Sequence, residues 1–369
     1  MSTTATPAGG HTLGAAQAIW LVAEREIGSK LRSKAFVIST AILFLGALAL
    51  VIWGGLQAAN NSGTPVAVTA DAQQYVASAQ GLEVTDVDDR AAAEALVADG
   101  AVDAAVVGDA DSPLGFAIVA DSSAPTQLML QLAQVPPVEL LNPDQGNAAL
   151  GYIAAVGFGV VFLLAASLFG GTIAQSVVEE KQTRVVELLI SAIPVRSLLA
   201  GKVIGNTILA VGQILILAAI AIIGLTVTDQ TALLQGLGAP IAWFAIFFLF
   251  GFILLASLFA AAASMVSRQE DIGSTTMPIT MLIMAPYFLV IFFNDNPLVL
   301  AIMSYVPFSA PVGMPMRIFL GEAQWWEPLL SLVILMATCV VAILVAARIY
   351  QNSLLRMGGR VKLSEALAG

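Results

Sequence analysis

Six stretches of this sequence are apolar for long enough to cross a bilayer, and they leave the rest of the fold little freedom. The first, Ala35–Leu56, runs 22 residues without a charge, about 33 Å as a helix against a hydrocarbon core of ~30 Å. Ala148–Ala174, Val203–Thr226, Ile241–Val266, Thr276–Phe293 and Pro328–Ala347 follow it. In lipid each spanning segment must satisfy its own backbone groups, so such runs have to be helices. Only 11% of the residues are charged, where a soluble chain carries about a quarter. The expectation is an α-helical polytopic membrane protein with six transmembrane helices. A signal peptide is the rival reading of Ala35–Leu56, with Gln57-Ala58-Ala59 as its cleavage region. The segment before it is too long and carries too many acids, and the apolar run exceeds an h-region.

Asn60–Gly146 interrupts the series between the first two spans. Val66–Thr69, Leu82–Val87, Val102–Val107 and Phe116–Val119 read as strands, and Asp89–Asp99 and Ser122–Gln134 as helices, the second after a cap at Asp121-Ser122. Such alternation predicts a small soluble α/β domain. The chain's net charge of −10 is concentrated there: this insert holds thirteen Asp/Glu and one Arg, so everything else sums to about +2. Asp86, Asp88 and Asp89 lack the Gly and the distal Glu of an EF-hand, and the acids read as a solvated face. Nucleic acid is excluded as a partner by this balance.

Orientation follows from counting Lys and Arg. With the N-terminus inside, thirteen of the fifteen face the cytoplasm and only Arg90 and Arg317 lie outside. The reverse topology inverts the positive-inside bias. The expected product is a cell-membrane protein with both termini cytoplasmic and the α/β insert extracytoplasmic. Gln17–Ser33 precedes the first span with Ile19, Leu21, Val22 and Ile27 set among charges, which predicts a short interfacial helix. Asn294–Gln324 carries Pro297, Pro307, Pro311 and Pro315 among apolar residues, which suits an outer re-entrant or interfacial hairpin flanked by Trp325 and Trp326. Pro278 and Pro286 interrupt the fifth span, and Arg348–Gly369 reads as a basic tail.

Between the second and third spans lies a charged stretch, Val177–Gly205. Glu179, Glu180, Lys181, Arg184 and Glu187 fall within nine positions, and Val178, Val185, Leu188 and Leu189 recur at helical spacing. Charged and apolar residues thereby segregate into faces. This predicts a helix along the cytoplasmic surface, its apolar face in the interface and its charges turned to a soluble partner. An ordinary amphipathic connector between spans fits the same pattern.

The segment EEKQTRVVELLISAIPVRSLLAGKVIG also resembles the signature segment of ABC-2 type ABC transporter permeases, and within them the sodium-efflux (NatB-like) permeases. The matching positions are Glu179, Glu180, Lys181, Arg184, Glu187, Leu188, Leu189, Ser191, Leu198, Gly201, Lys202 and Gly205. The resemblance extends to the insert's place in the chain and to the segment around Pro307, Pro311, Pro315 and Arg317. It implies an outer helical hairpin there and an inner-surface helix before the first span. It implies that Glu179, Glu180, Lys181, Arg184, Glu187, Arg196 and Lys202 belong to the element that docks on a separate ABC ATPase subunit. No cofactor is then expected on this chain; ATP and Mg2+ sit on the partner ATPase. A second permease copy or paralogue would complete a dimer in the lipid bilayer. Alanine at Glu180 or Arg184 should uncouple ATP turnover from transport.

What the chain lacks points the same way. One His (His11) and one Cys (Cys339) leave no disulfide, no Cys/His zinc site and no credible triad. The spans carry no Asp, Glu, Lys or Arg away from their ends, whereas ion-coupled transporters place a titratable group at mid-membrane. Gly201-Lys202-Val203 lacks the leading Gly and the Ser/Thr of a P-loop. Energy is therefore expected from a nucleotide-hydrolysing partner, and the reading is the permease subunit of an exporter moving Na+ or a hydrophobic compound. The alternative is a non-transporting membrane sensor or assembly factor whose outer domain binds a ligand.

Overall fold

The computed structural model describes residues 14–60, 64–77, 79, 81–110, 112–121, 125, 128–129, 132, 148–183, 185–228, 231–356 and 359–368. They form two compact units: the described residues up to 47, from 148 to 223 and from 231 to 368 in one, and those from 48 to 132 with 224–228 in the other.

In chain order the elements are α1 (Ala15–Arg32), α2 (Lys34–Asn60), β1 (Thr64–Thr69), α3 (Gln73–Val76), β2 (Leu82–Val87), α4 (Arg90–Ala98), β3 (Ala104–Gly108) and β4 (Phe116–Val119). Then come α5 (Ala148–Gln182), α6 (Val185–Ala192), α7 (Val195–Val227), α8 (Thr231–Ser264) and a 3-10 turn (Gln269–Asp271). They are followed by α9 (Ile272–Phe292), α10 (Pro297–Tyr305), α11 (Ala310–Phe319), α12 (Glu327–Ser353) and α13 (Leu363–Ala368). Among the described residues, six helices are long and apolar enough to cross a membrane: α2, α5, α7, α8, α9 with its 3-10 turn, and α12.

The smaller unit is a four-stranded sheet in the order β2-β1-β3-β4, with β1 parallel to β2 and β3, and β4 antiparallel to β3. Strand periodicity splits its core in two. Val66, Val68, Ala104 and Val106 pack on one face with Val76 and Leu128, while Ala67, Ala105 and Val107 pack on the other with Ala93 and Val97. Asp89 caps α4 by accepting from the Ala92 amide at 2.8 Å. The helix expected over Ser122–Gln134 falls mostly outside the described residues. The short α3 was not foreseen; four residues are too few to show a period.

In the larger unit the core is an aromatic seam. Phe158, Phe162 and Phe169 of α5 meet Phe244, Phe248 and Phe252 of α8, with ring centroids 5.0 to 5.9 Å apart. The phenylalanines of α8 recur every four residues, so they share one face. Glycines let neighbours close on this seam: a Cβ on Gly251 would lie 2.6 Å from Pro311 Cγ, and one on Gly170 2.6 Å from the Phe259 ring.

Several expectations are corrected. Val177–Gly205 is not one surface helix. The second span continues as α5 to Gln182, α6 stands alone, and α7 starts at Val195 behind Pro194, whose fixed φ suits a helix start. Pro278 and Pro286 do not interrupt α9; Thr275, Thr276 and Thr280 donate to carbonyls four residues back. The C-terminal tail folds back onto the bundle, with Val361 N bonded to Met265 O and Asn352 Nδ2 to Ala366 O. The Pro-rich segment, by contrast, forms the helical hairpin that the resemblance implied: Pro307 lies in the turn, Pro311 in the first turn of α11 and Pro315 inside it. Every residue from Ala310 to Arg317 is buried.

Candidate functional site

The N-terminal helix does not merely lie on a surface. Ala18, Val22, Ala23 and Glu26 form a stripe at helical spacing that is buried, and its partner is α7. A Cβ on Gly201 would come 2.7 Å from Ile19 O, and one on Gly205 2.8 Å from Ala23 O. The Gly201/Gly205 pair, four residues apart, thus lets two backbones touch. Trp20 and Leu21, 56% and 48% exposed, point away from this contact.

This approach carries Glu26 to Lys202. Lys202 Nζ bonds Glu26 Oε1 at 2.8 Å and Ser176 Oγ at 2.7 Å, and lies 3.0 Å from Glu180 Oε2. Arg25 completes the group by donating to Glu180. Lys202 thus joins α1, α5 and α7. Lys181 ties the same α5 to two further helices: its fully buried side chain donates to Ser264 O at the end of α8 (2.7 Å) and Ser353 O at the end of α12 (2.9 Å). Carbonyls at a helix C-terminus lack intrahelical donors and carry the negative end of the dipole, so a lysine is a fitting cap for two of them.

Lys181, Lys202 and, largely, Glu180 therefore do not turn to a soluble partner as expected. They tie together the helix ends that flank α6, because a charge removed from water must find its partner within the protein. An alanine at Glu180 would test this internal network and not a docking contact. Glu179, Glu187 and Arg196 are exposed, and Arg184 lies outside the described residues. Arg25, Glu26 and Ser176 were not foreseen in the site. The signal for Glu26 was its place four residues after Val22 on the stripe begun by Ala18.

Beside the network is a cavity of about 650 Å3 in which Arg25, Glu26, Lys30, Glu179 and Glu180 share the lining with apolar side chains such as Phe36 and Leu168. Burial raises the Glu26 carboxyl, but Lys202, with Arg25 and Lys30, outweighs it and leaves Glu26 below its ordinary 4.5. Its contribution to stability is present above pH 4.5 and is lost as pH falls through the lowered value. Burial lowers the Lys30 ammonium to about 8; Glu26 opposes the shift and Lys202 adds to it. The folded protein releases this proton before the unfolded chain does, so stability should rise between pH 8 and 10.5. We expect the alkaline rise in melting temperature to be lost in Lys30→Met, as checked by thermal unfolding of both proteins from pH 7 to 10. A rise that persists in the variant would assign it to another group.

Arg317 belongs to a separate cluster on α10, α11 and α12. It donates to Ser304 Oγ (3.1 Å), Glu322 O (3.1 Å) and Glu327 Oε2 (2.9 Å), and Tyr305 donates to Glu327 Oε1 at 2.9 Å. It closes the Pro-rich hairpin against the last span.

Six spanning helices, a sheet domain inserted between the first two and a short exposed helix between the second and third define a multi-pass membrane protein. The family model described as "ABC-2 family transporter protein" matches residues 34–348. The chain belongs to the ABC-2 family of transporter proteins. It is 27% identical over 223 residues to "Uncharacterized protein YhaP" of Bacillus subtilis (strain 168), covering 57% of this chain and 53% of that protein. It is 28% identical over 210 residues to "Uncharacterized protein MJ1024" of Methanocaldococcus jannaschii, covering 56% of this chain and 51% of that protein. The matches thus span about half the length of these relatives. No solved structure gives a significant match.

Proposed function

We propose that the chain is the membrane subunit of an ABC exporter in the cell membrane, driven by separate ATPase chains that bear on α6 from the cytoplasm. Membership of the ABC-2 family supports the transporter class. The observation that carries the docking role is α6 itself. This eight-residue helix holds Leu188 74% exposed and Glu187 exposed, and it is joined by short connections to α5 and α7. An apolar side chain rimmed by charge is what a protein interface anchors on. Because Lys181 and Lys202 clamp the adjoining helix ends, a push on α6 would move those ends as a body instead of bending one loop.

In this reading the termini are cytoplasmic, the sheet domain is outside, and two membrane chains work with two ATPases that carry ATP and Mg2+. The cargo is Na+, as the sodium-efflux (NatB-like) resemblance suggests, or a hydrophobic compound. The test uses Leu188→Asp in proteoliposomes with an ABC ATPase chain that co-purifies with the wild-type protein. ATPase binding should weaken roughly 30-fold, as for loss of an interface anchor, while the melting temperature holds. Unchanged binding with the variant folded would remove α6 as the docking element.

A further inference from the structure

We propose that the cavity among α1, α7, α8 and α12 is a binding site for an anionic phospholipid drawn from the bilayer. The cavity measures about 1090 Å3, at the upper end of the ~300–1,000 Å3 of small-molecule sites. Its walls are hydrocarbon: Val203 and Ile208 from α7, Leu249 and Ile253 from α8, Ile343 and Leu344 from α12. Thr207 and Ser257 on these walls are already engaged, with Val203 O and Ile253 O, both at 2.7 Å, and Ser197 lies beside Arg196 in the first turn of α7. The two engaged hydroxyls offer a ligand's interior no free donor, which suits an acyl chain.

The polar lining is gathered at one end. Arg196 stands in the first turn of α7, and Arg348 and Gln351 in the last turns of α12. Both arginines are exposed, and among the described residues neither pairs with a carboxylate. Arg196 also sits at the positive end of the α7 dipole. Two uncommitted guanidiniums at the mouth of an apolar slot complement a phosphate carried on hydrocarbon chains. Ile208 and Leu344, 43% and 66% exposed, leave the slot open on the side that lipid would bathe. A free phosphate would use the arginines and leave the hydrocarbon wall unfilled. A neutral lipid would fill the wall and leave the arginines unmatched. This inference does not depend on the docking of an ATPase.

The experiment is native mass spectrometry of the purified full chain in detergent, titrated with phosphatidylglycerol or phosphatidylcholine bearing the same acyl chains. The wild-type protein should retain phosphatidylglycerol with a preference of roughly 30-fold, the gain from two arginines near a headgroup. The Arg196→Gln/Arg348→Gln protein should lose that preference, and Leu344→Trp, which narrows the slot, should retain less of both lipids. Equal retention of the two lipids by the wild type, or an undiminished preference in the double variant, would overturn the proposal. So would displacement of bound phosphatidylglycerol by millimolar inorganic phosphate, which would reassign the site to free phosphate.

Discussion

Lys202→Met is expected to cost about 3–5 kcal/mol of stability, because it leaves buried carboxylates without their cation. The Lys202 side chain is 1% exposed, Glu26 6% and Glu180 13%. Methionine fills much of the lysine's volume, so the loss would report charge and not a void. Thermal and denaturant unfolding of the purified protein would measure it. The double variant Glu26→Gln/Lys202→Met should recover part of the loss, since Glu180 keeps Arg25, and the four-protein cycle isolates the pair's coupling. A Lys202→Met protein as stable as wild type would mean that water reaches the network and screens it.

Gly205→Leu should be nearly as damaging, for a steric reason. Even a bare Cβ there would lie 2.8 Å from Ala23 O and 3.0 Å from Glu26 Cβ, and a main-chain carbonyl in a helix cannot swing aside. Overpacking alone costs typically about 1–3 kcal/mol. Here it would also push α1 away and lengthen the Glu26–Lys202 contact, so we expect a loss of about 3 kcal/mol or more. Gly28→Leu is the control, because nothing lies within 4 Å of a Cβ at that position. Equal losses in the two variants would show that α1 is not held by close contact with α7. In the same proteins, protection of α1 amides from hydrogen exchange should fall only in Gly205→Leu.

The two variants bear on one arrangement. The short helix proposed as the docking element is held between helix ends fixed by lysines, and one of these lysines depends on a glycine contact that admits α1. Removing the contact or the charge should loosen the same frame. Leu188→Asp should leave that frame intact and disturb only what binds to it.

Much of this was legible in the sequence because lipid imposes a simple rule. A backbone that cannot bond to water must be helical, so uncharged runs such as Ala35–Leu56 announce their structure by length alone. The sheet was legible for a different reason: β1 and β3 are short apolar runs, Val66 to Val68 and Ala104 to Val107, of the kind a strand buried on both faces carries. The cue to α1's burial was also present, in the stripe from Ala18 through Val22 to Glu26 and in the Gly201/Gly205 spacing. The destinations of Lys181 and Lys202 were not. In sequence Lys181 is a charge beside Glu180 and Arg184, indistinguishable from a solvated face, and Lys202 is a charge flanking an apolar run. Their acceptors, Ser264 O, Ser353 O and Glu26, lie 83, 172 and 176 positions away. Local pattern specifies which segments become helices, since that depends on neighbours within a turn. Only helix packing decided which charges leave water, since a buried ammonium is tolerable only where a distant chain segment brings it an acceptor.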